Sequence, residues 1–278
     1  MSRVVKRSIT VVVLGIALIA FVFPLYYLIA TSLKGQAELY SPVPTLIPQA
    51  PTLQSYSSVL FDRQMLGLLG NSIVAGVSAT VLALIIAFAI CYPITRLPVS
   101  RRVSSFVLNW SLSLRFLPPI AVVIPYYTIV RALGLYNQLP ALIIVYTIFN
   151  LPLSIWMLKG FLQEIPLELE EAAMVDGASR LQAFLRVLLP LTRTGMLAAG
   201  VVVFAFDWAE FLFAFILTAT PQAMTFPVGV QGLVTQFEII WNDMAAGGVI
   251  AIAVPLALML VARRYVVAGL TFGVIRDK

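Results

Sequence analysis

Residues 163–195 read QEIPLELEEAAMVDGASRLQAFLRVLLPLTRTG, and this polar stretch decides how the rest of the chain is read. It holds five of the twelve acidic residues and three of the eighteen basic ones. Apolar runs flank it on both sides, each near the roughly 20 residues a helix needs to cross hydrocarbon. Within the stretch, Glu168 to Val175 consists of good helix formers. Pro166 lies just before them, where proline suits a first turn. Glu168, Glu170 and Glu171 come early and favour the helix dipole. Gly177 then stops the helix. A second helix is predicted from about Ser179 to Leu188, because Leu181, Phe184, Leu185 and Leu188 repeat at i, i+3, i+4 and i+7. Pro190 is expected to end it.

Working outward, the 278 residues are 61% hydrophobic and only 11% charged, with a mean hydropathy of +0.99. A soluble domain carries about 25% charge, so the class is an all-α polytopic membrane protein. Six transmembrane helices are predicted, at about 9–31, 70–92, 104–129, 139–158, 195–218 and 245–262. The island 163–195 falls between spans four and five, and 1–278 reads as a single transmembrane domain. Span three contains Arg115 and the pair Pro118-Pro119, so a kink or break is expected there. Span one follows Arg3, Lys6 and Arg7 but ends in Phe-Pro-Leu-Tyr-Tyr. That is not a small-residue cleavage site, so it reads as an uncleaved span.

Lysine and arginine set the orientation. With the N-terminus inside, fourteen of the eighteen bases fall in internal segments and three, Lys34, Arg63 and Arg131, fall outside. Both termini and the island are therefore expected in the cytoplasm. The net charge of +6 is then a topology signal and no sign of nucleic-acid binding. There is no histidine and one cysteine, Cys91, which rules out an internal disulfide and removes the commonest general base and metal ligand. No phosphate-loop pattern occurs. No catalytic or metal-binding constellation is expected, and no cofactor in this chain.

From the residues alone, the helix pair could simply lie on lipid headgroups. Its spelling points further. Glu171-Ala172-Ala173, three residues, Gly177, nine residues and then Val187-Leu188-Leu189-Pro190 resembles the EAA motif of ABC importer permeases, EAA-x3-G-x9-I-x-L-P, with Val187 in place of isoleucine. Asp176 and Ala178 around the glycine also fit. The six spans and the late Ala268-Gly269-Leu270-Thr271 extend the resemblance over the chain, to the MalG-like permeases of carbohydrate uptake. It implies that the pair is a coupling helix seated in a groove of a separate ATPase. Glu171, Ala172, Ala173, Asp176, Gly177 and Pro190 would carry the coupling, with Gly177 needed to keep the turn narrow. It further implies a second permease subunit in a heterodimer, two ATPase subunits holding ATP and magnesium, and an extracytoplasmic solute-binding protein. The membrane would be the prokaryotic plasma (inner) membrane. The tail, Gly269 to Lys278, would either reach between the ATPases or rest on headgroups. The loop from Thr220 to Met244 would meet the binding protein.

Ionisable residues within a span are functional candidates, because hydrocarbon makes them costly. Arg115 lies in span three, and Asp207 and Glu210 lie in span five, three residues apart and so expected on one helical face. A salt bridge is expected. The remaining acid, with Trp208 and with Asn150 of span four, is a candidate for binding a polyhydroxylated solute, since acids accept hydrogen bonds from hydroxyls and aromatic faces stack on sugar rings. Asn71 reads as a cap or an interhelical bond, and Tyr126 and Tyr127 as interfacial aromatics. Importers of other solutes, such as polyamines or amino acids, and ion-coupled secondary transporters remain alternative functions.

Overall fold

The structure is a computed structural model that describes residues 3–234 and 239–271. Its elements are helices: α1 (Arg3–Ser32), the single turns α2 (Gln36–Leu39) and α3 (Gln54–Ser57), α4 (Met65–Arg96), α5 (Arg101–Arg115), α6 (Pro119–Ala132), α7 (Leu139–Glu164), α8 (Glu168–Val175), α9 (Arg180–Ala183), α10 (Leu189–Trp208), α11 (Leu212–Leu217), α12 (Phe226–Gln231) and α13 (Trp241–Thr271). Among the described residues, five helices are long and apolar enough to span a membrane, or six if α5 and α6 together count as one span. The predicted helices run past their apolar windows. Span two grows from 70–92 to Met65–Arg96 and span six from 245–262 to Trp241–Thr271.

Span three shows the expected break, and span five departs from expectation. The third bends by 98° between Arg115 and Pro119. Pro118 holds an extended backbone and Pro119 opens the next helix, so the proline pair ends one helix and starts another. The fifth is not continuous over 195–218. Its helix starts earlier, at Arg180, and stops at Trp208. Pro190 does not end a helix either. A widened turn over Phe184–Leu188 precedes it and absorbs both the missing donor and the ring clash, so α9 runs on into α10.

Contacts divide the chain into two compact units, Met1–Leu66 with Gly229–Ala253, and Gly67–Val228 with Val254–Lys278. In the first, α1 packs on the beginning of α13, where a Cβ on Gly248 would lie 3.4 Å from Leu28. Over residues 9–23, α1 is mostly apolar and uncovered, Phe21 being 81% exposed. Asp243, in the first turn of α13, accepts hydrogen bonds from Ser58 Oγ at 2.9 Å and Arg63 Nε at 2.8 Å. Within the loop Thr220–Met244, residues 235–238 lie outside the described residues, as does the tail beyond Thr271.

The core of the second unit is α4, α7 and α10. Ala75, Ala79, Ala83, Ala87 and Cys91 recur every fourth residue of α4, all fully buried. Small side chains at that spacing let helix backbones approach. Thr147 of α7 donates to the Ala79 carbonyl at 3.4 Å, and Cys91 Sγ approaches the Ile155 carbonyl at 3.3 Å. Among the described glycines the tightest approach is at Gly195 of α10, where a Cβ would run into the Phe161 ring of α7. Gly195→Ala is expected to destabilise the subunit by about 1–3 kcal/mol through overpacking. Phe161→Ala in the same chain should recover part of that loss, measured as retention of monodisperse protein in detergent on heating. Asn71 bonds the carbonyls of Pro221 and Met224 at 3.0 and 2.9 Å, in the loop between α11 and α12, so it holds a loop rather than making the cap or interhelical bond expected of it. Tyr126 packs edge-on against Phe213, and Tyr127 against Tyr136.

Candidate functional site

The helix pair has the predicted first helix, with the same ends, Glu168–Val175. Its stop is a hydrogen-bonded device. Ala178 N bonds the Ala173 carbonyl at 3.0 Å and Gly177 N bonds that of Met174 at 3.1 Å, the paired bonds of a Schellman motif. Gly177 has φ +92° and open space where a Cβ would be. The glycine therefore serves the backbone conformation, and a side chain would not crowd the turn from within this chain. The second helix opens on a capping box that the sequence reading missed. Ser179 Oγ accepts from Gln182 N at 3.3 Å, and Gln182 Oε1 accepts from Ser179 N at 2.8 Å. The S-x-x-Q spacing was the available signal.

Glu171, Ala172, Asp176, Gly177 and Pro190 are exposed and Ala173 is half-buried. Val175 at the tip is 87% exposed and Leu181 65%. The apolar repeat of the second helix is split between two surroundings: Leu188 is buried and Phe184 packs edge-on against Phe88 and Tyr92 of α4, while Leu181 and Leu185 face out. Glu170, beside the exposed Glu171, points the other way and is only 4% exposed. Its carboxylate lies 3.1 Å from Arg96 Nε. Burial pushes its pKa above the usual carboxylate range, and Arg96 and Arg180 oppose that rise.

The second group of candidates forms a buried polar chain across α4, α5, α7 and α10. Thr80 donates to Asp207 Oδ2 at 2.9 Å and Asn150 Nδ2 to Asp207 Oδ1 at 2.6 Å. Arg115 Nη1 donates to Asn150 Oδ1 at 3.2 Å. The expected salt bridge is therefore replaced by a relay in which the Asn150 amide stands between cation and anion, donating to one and accepting from the other. Asp207 and Asn150 are 3% and 2% exposed. Arg115 is half-buried and lies 4.7 Å above the ring of Phe206 and 5.8 Å above that of Phe149. Phe206 itself is 49% exposed, so the arginine end of the chain is the open one. Sequence reading did not single out Phe206.

Glu210 is not part of this chain. The helix breaks after Trp208, and the Glu210 carboxylate turns onward to accept from Phe213 N at 2.8 Å and Ala214 N at 3.1 Å. It serves the first turn of α11, as an acid at a helix start does, and among the described residues it stands outside the hydrogen bonds that join Thr80, Asn150, Arg115 and Asp207. Trp208 is 4% exposed and packs on Phe204, so its ring faces the interior of the subunit.

Comparison with known proteins agrees with this architecture. Residues 79–272 match the model of the family described as binding-protein-dependent transport system inner membrane component. The chain is 35% identical over 260 residues to the sulfoquinovosyl glycerol transport system permease protein SmoH of Agrobacterium fabrum, covering 93% of this chain and 90% of that protein. It is 34% identical over 266 residues to the trehalose transport system permease protein SugB of Mycobacterium tuberculosis, covering 95% and 94%. Among solved structures, a chain of a bacterial ABC transporter involved in importing the acidic polysaccharide alginate superposes with a TM-score of 0.78 at 21% identity, over 95% of this chain and 98% of that one. That likeness speaks for the fold. About 70% of the sequence fits the family model and near-full-length relatives exceed 30% identity, so the chain belongs to the binding-protein-dependent transport system inner membrane components, the multi-pass permease subunits of ABC importers.

Proposed function

We propose that this subunit forms half of the pathway of an ATP-driven importer for a sugar, polyol or related solute. Its short helix pair would receive the movement of a separate ATPase. The observation that carries this reading is the outward tip made by Val175, Asp176 and Gly177, held rigid by a Schellman turn on one side and a capping box on the other. A surface-lying hairpin would turn its apolar residues towards lipid along its length. Here Leu188 and Phe184 are committed to the subunit, while Val175 and Leu181 project from it. The solute class rests on the relatives, whose names specify sulfoquinovosyl glycerol and trehalose. Partners in this reading are a second permease subunit, two ATPase subunits that hold ATP and magnesium, and an extracytoplasmic solute-binding protein. The uncovered apolar surface of α1 suits contact with lipid or with the second permease.

Fourteen bases against three support a cytoplasmic side for both termini and the helix pair. Arg115, stacked on the exposed Phe206, is the member of the polar chain best placed to meet a solute, with Asn150 and Asp207 fixing it from behind. A cation over an aromatic face offers both hydrogen-bond donors and a stacking surface to a polyhydroxylated ring.

The direct test is purification of the tagged chain in mild detergent, with its companions identified by mass. A second six-span subunit and a soluble ATPase are expected. A folded, monodisperse chain that comes down alone would overturn the importer reading and leave the rigid tip without an occupation.

A further inference from the structure

Arg96 is the last residue of α4, and its side chain is 5% exposed. A guanidinium buried this far needs acceptors on several sides. It finds them on two other elements. Its Nη2 donates to the carbonyls of Leu162 and Ile165, which lie at the C-terminal end of α7 where backbone acceptors are left over and a cation is favoured. Its Nε faces Glu170 Oε1 of α8 at 3.1 Å, and the Glu170 side chain is 6% exposed. Among the described residues neither of these two atoms has a hydrogen-bond partner, so the contact is an ion pair, with Arg180 adding a weaker attraction on Glu170. One side chain thus ties the ends of two spans to the first helix of the pair. One turn earlier on α4, Tyr92 packs edge-on against Phe184, 5.0 Å between centroids, and so holds the second helix as well.

We propose that Arg96 and Glu170 are positioning residues that make α8 move with the ends of α4 and α7. A push received at the Gly177 tip would then reach the helices carrying Thr80 and Asn150. The inference rests on the coupling role proposed above for the helix pair. Its chemistry favours a rigid link. Breaking one partner of a buried ion pair leaves an uncompensated charge, which costs far more than a surface pair would. Lysine could not replace Arg96 fully, because one ammonium cannot present the planar fork that reaches carbonyls and carboxylate together.

The test is hydrogen–deuterium exchange on the complex purified with its companions, with and without magnesium and a non-hydrolysable ATP analogue. Two segments are followed, 168–175 on the helix pair and 92–97 on α4. In the wild-type complex both segments should change exchange on nucleotide addition. In Glu170→Gln, segment 168–175 should still respond, while the response of 92–97 shrinks by about tenfold or more, as expected for loss of a buried charge pair. Arg96→Lys should give an intermediate loss, and it carries the test if Glu170→Gln accumulates poorly. A merely structural role would raise exchange in both segments without nucleotide and leave their responses joined. If the two segments keep responding together in both variants, the link is overturned. Nucleotide leaving 168–175 unchanged in the wild-type complex would instead remove the coupling role itself, and the link with it.

Discussion

Gly177→Trp is expected to block the coupling of this subunit to its ATPase while leaving the folded, inserted subunit intact. The local arithmetic is favourable to that separation. At φ +92° any L-residue meets backbone strain, worth roughly 1–2 kcal/mol. Among the described residues nothing lies within 4 Å of the added Cβ, so bulk adds no internal collision there. The Schellman bonds to Ala173 and Met174 come from backbone groups and survive a side chain. A cost of that size does not unfold a membrane subunit with three long helices in its core. The indole would project from the tip instead, into whatever surface the tip meets. Gly177→Ala supplies the control, since it brings the same backbone strain with almost no projection. Co-purification of the ATPase with the tagged subunit should fall by about tenfold or more for tryptophan, a difference of about 1.4 kcal/mol. It should stay near wild type for alanine. Equal retention of the ATPase in both variants would mean that the tip is not at the interface.

The helix pair was largely legible because its signals are local. Proline before, acids first and glycine after fixed α8 residue for residue, and the S-x-x-Q box could have been read the same way. Pro190 misled because a proline's effect depends on the turn before it, and a widened turn removes the clash without any mark in the sequence. The spans were found by hydropathy, but that signal fades where helices leave the hydrocarbon, so their true ends at Met65, Arg96 and Glu164 lay outside it. Pro118-Pro119 announced a break but not its 98° angle, which depends on the packing of α5 and α6. The stop after Trp208 carries neither glycine nor proline. It is made by Glu210 serving the first turn of a new helix, and the same acid in the middle of an apolar run reads equally well as a buried charge. Arg115, Asn150 and Asp207 were each visible as costly residues in apolar spans. Their order was not, because an asparagine between two charges can serve both, and only the fold shows that it does. Arg96 and Glu170 went unread as a pair because an arginine at a span end and a glutamate at a helix start each have a sufficient local explanation.

That relay yields a prediction of comparable size. Asp207→Ala should weaken the subunit severely, whereas Asp207→Asn should spare stability and still impair transport. In the alanine variant, Asn150 Nδ2 and Thr80 Oγ lose the acceptors they reach at 2.6 and 2.9 Å. A buried polar group left unpaired costs about 1–3 kcal/mol, and here there are two, in a site where Asn150 and Asp207 are almost wholly enclosed. The variant should lose its monodisperse state in detergent well before the wild type on heating. Asparagine behaves differently. Its carbonyl can still accept from Asn150, and the Thr80 hydroxyl can rotate to accept from the new amide. The bonds persist but the negative charge is gone. Arg115 then has no counter-charge behind Asn150, and nothing but two aromatic faces and an amide to hold it. Its placement over the exposed Phe206 should loosen. Binding-protein-stimulated ATP hydrolysis by the reconstituted complex separates the possibilities. A stable Asp207→Asn complex with strongly reduced stimulation locates the role of Asp207 in fixing Arg115. Full stimulation in a stable complex would show that Asp207 is needed only as an acceptor, and that the cation at the open end of the relay holds its position without it.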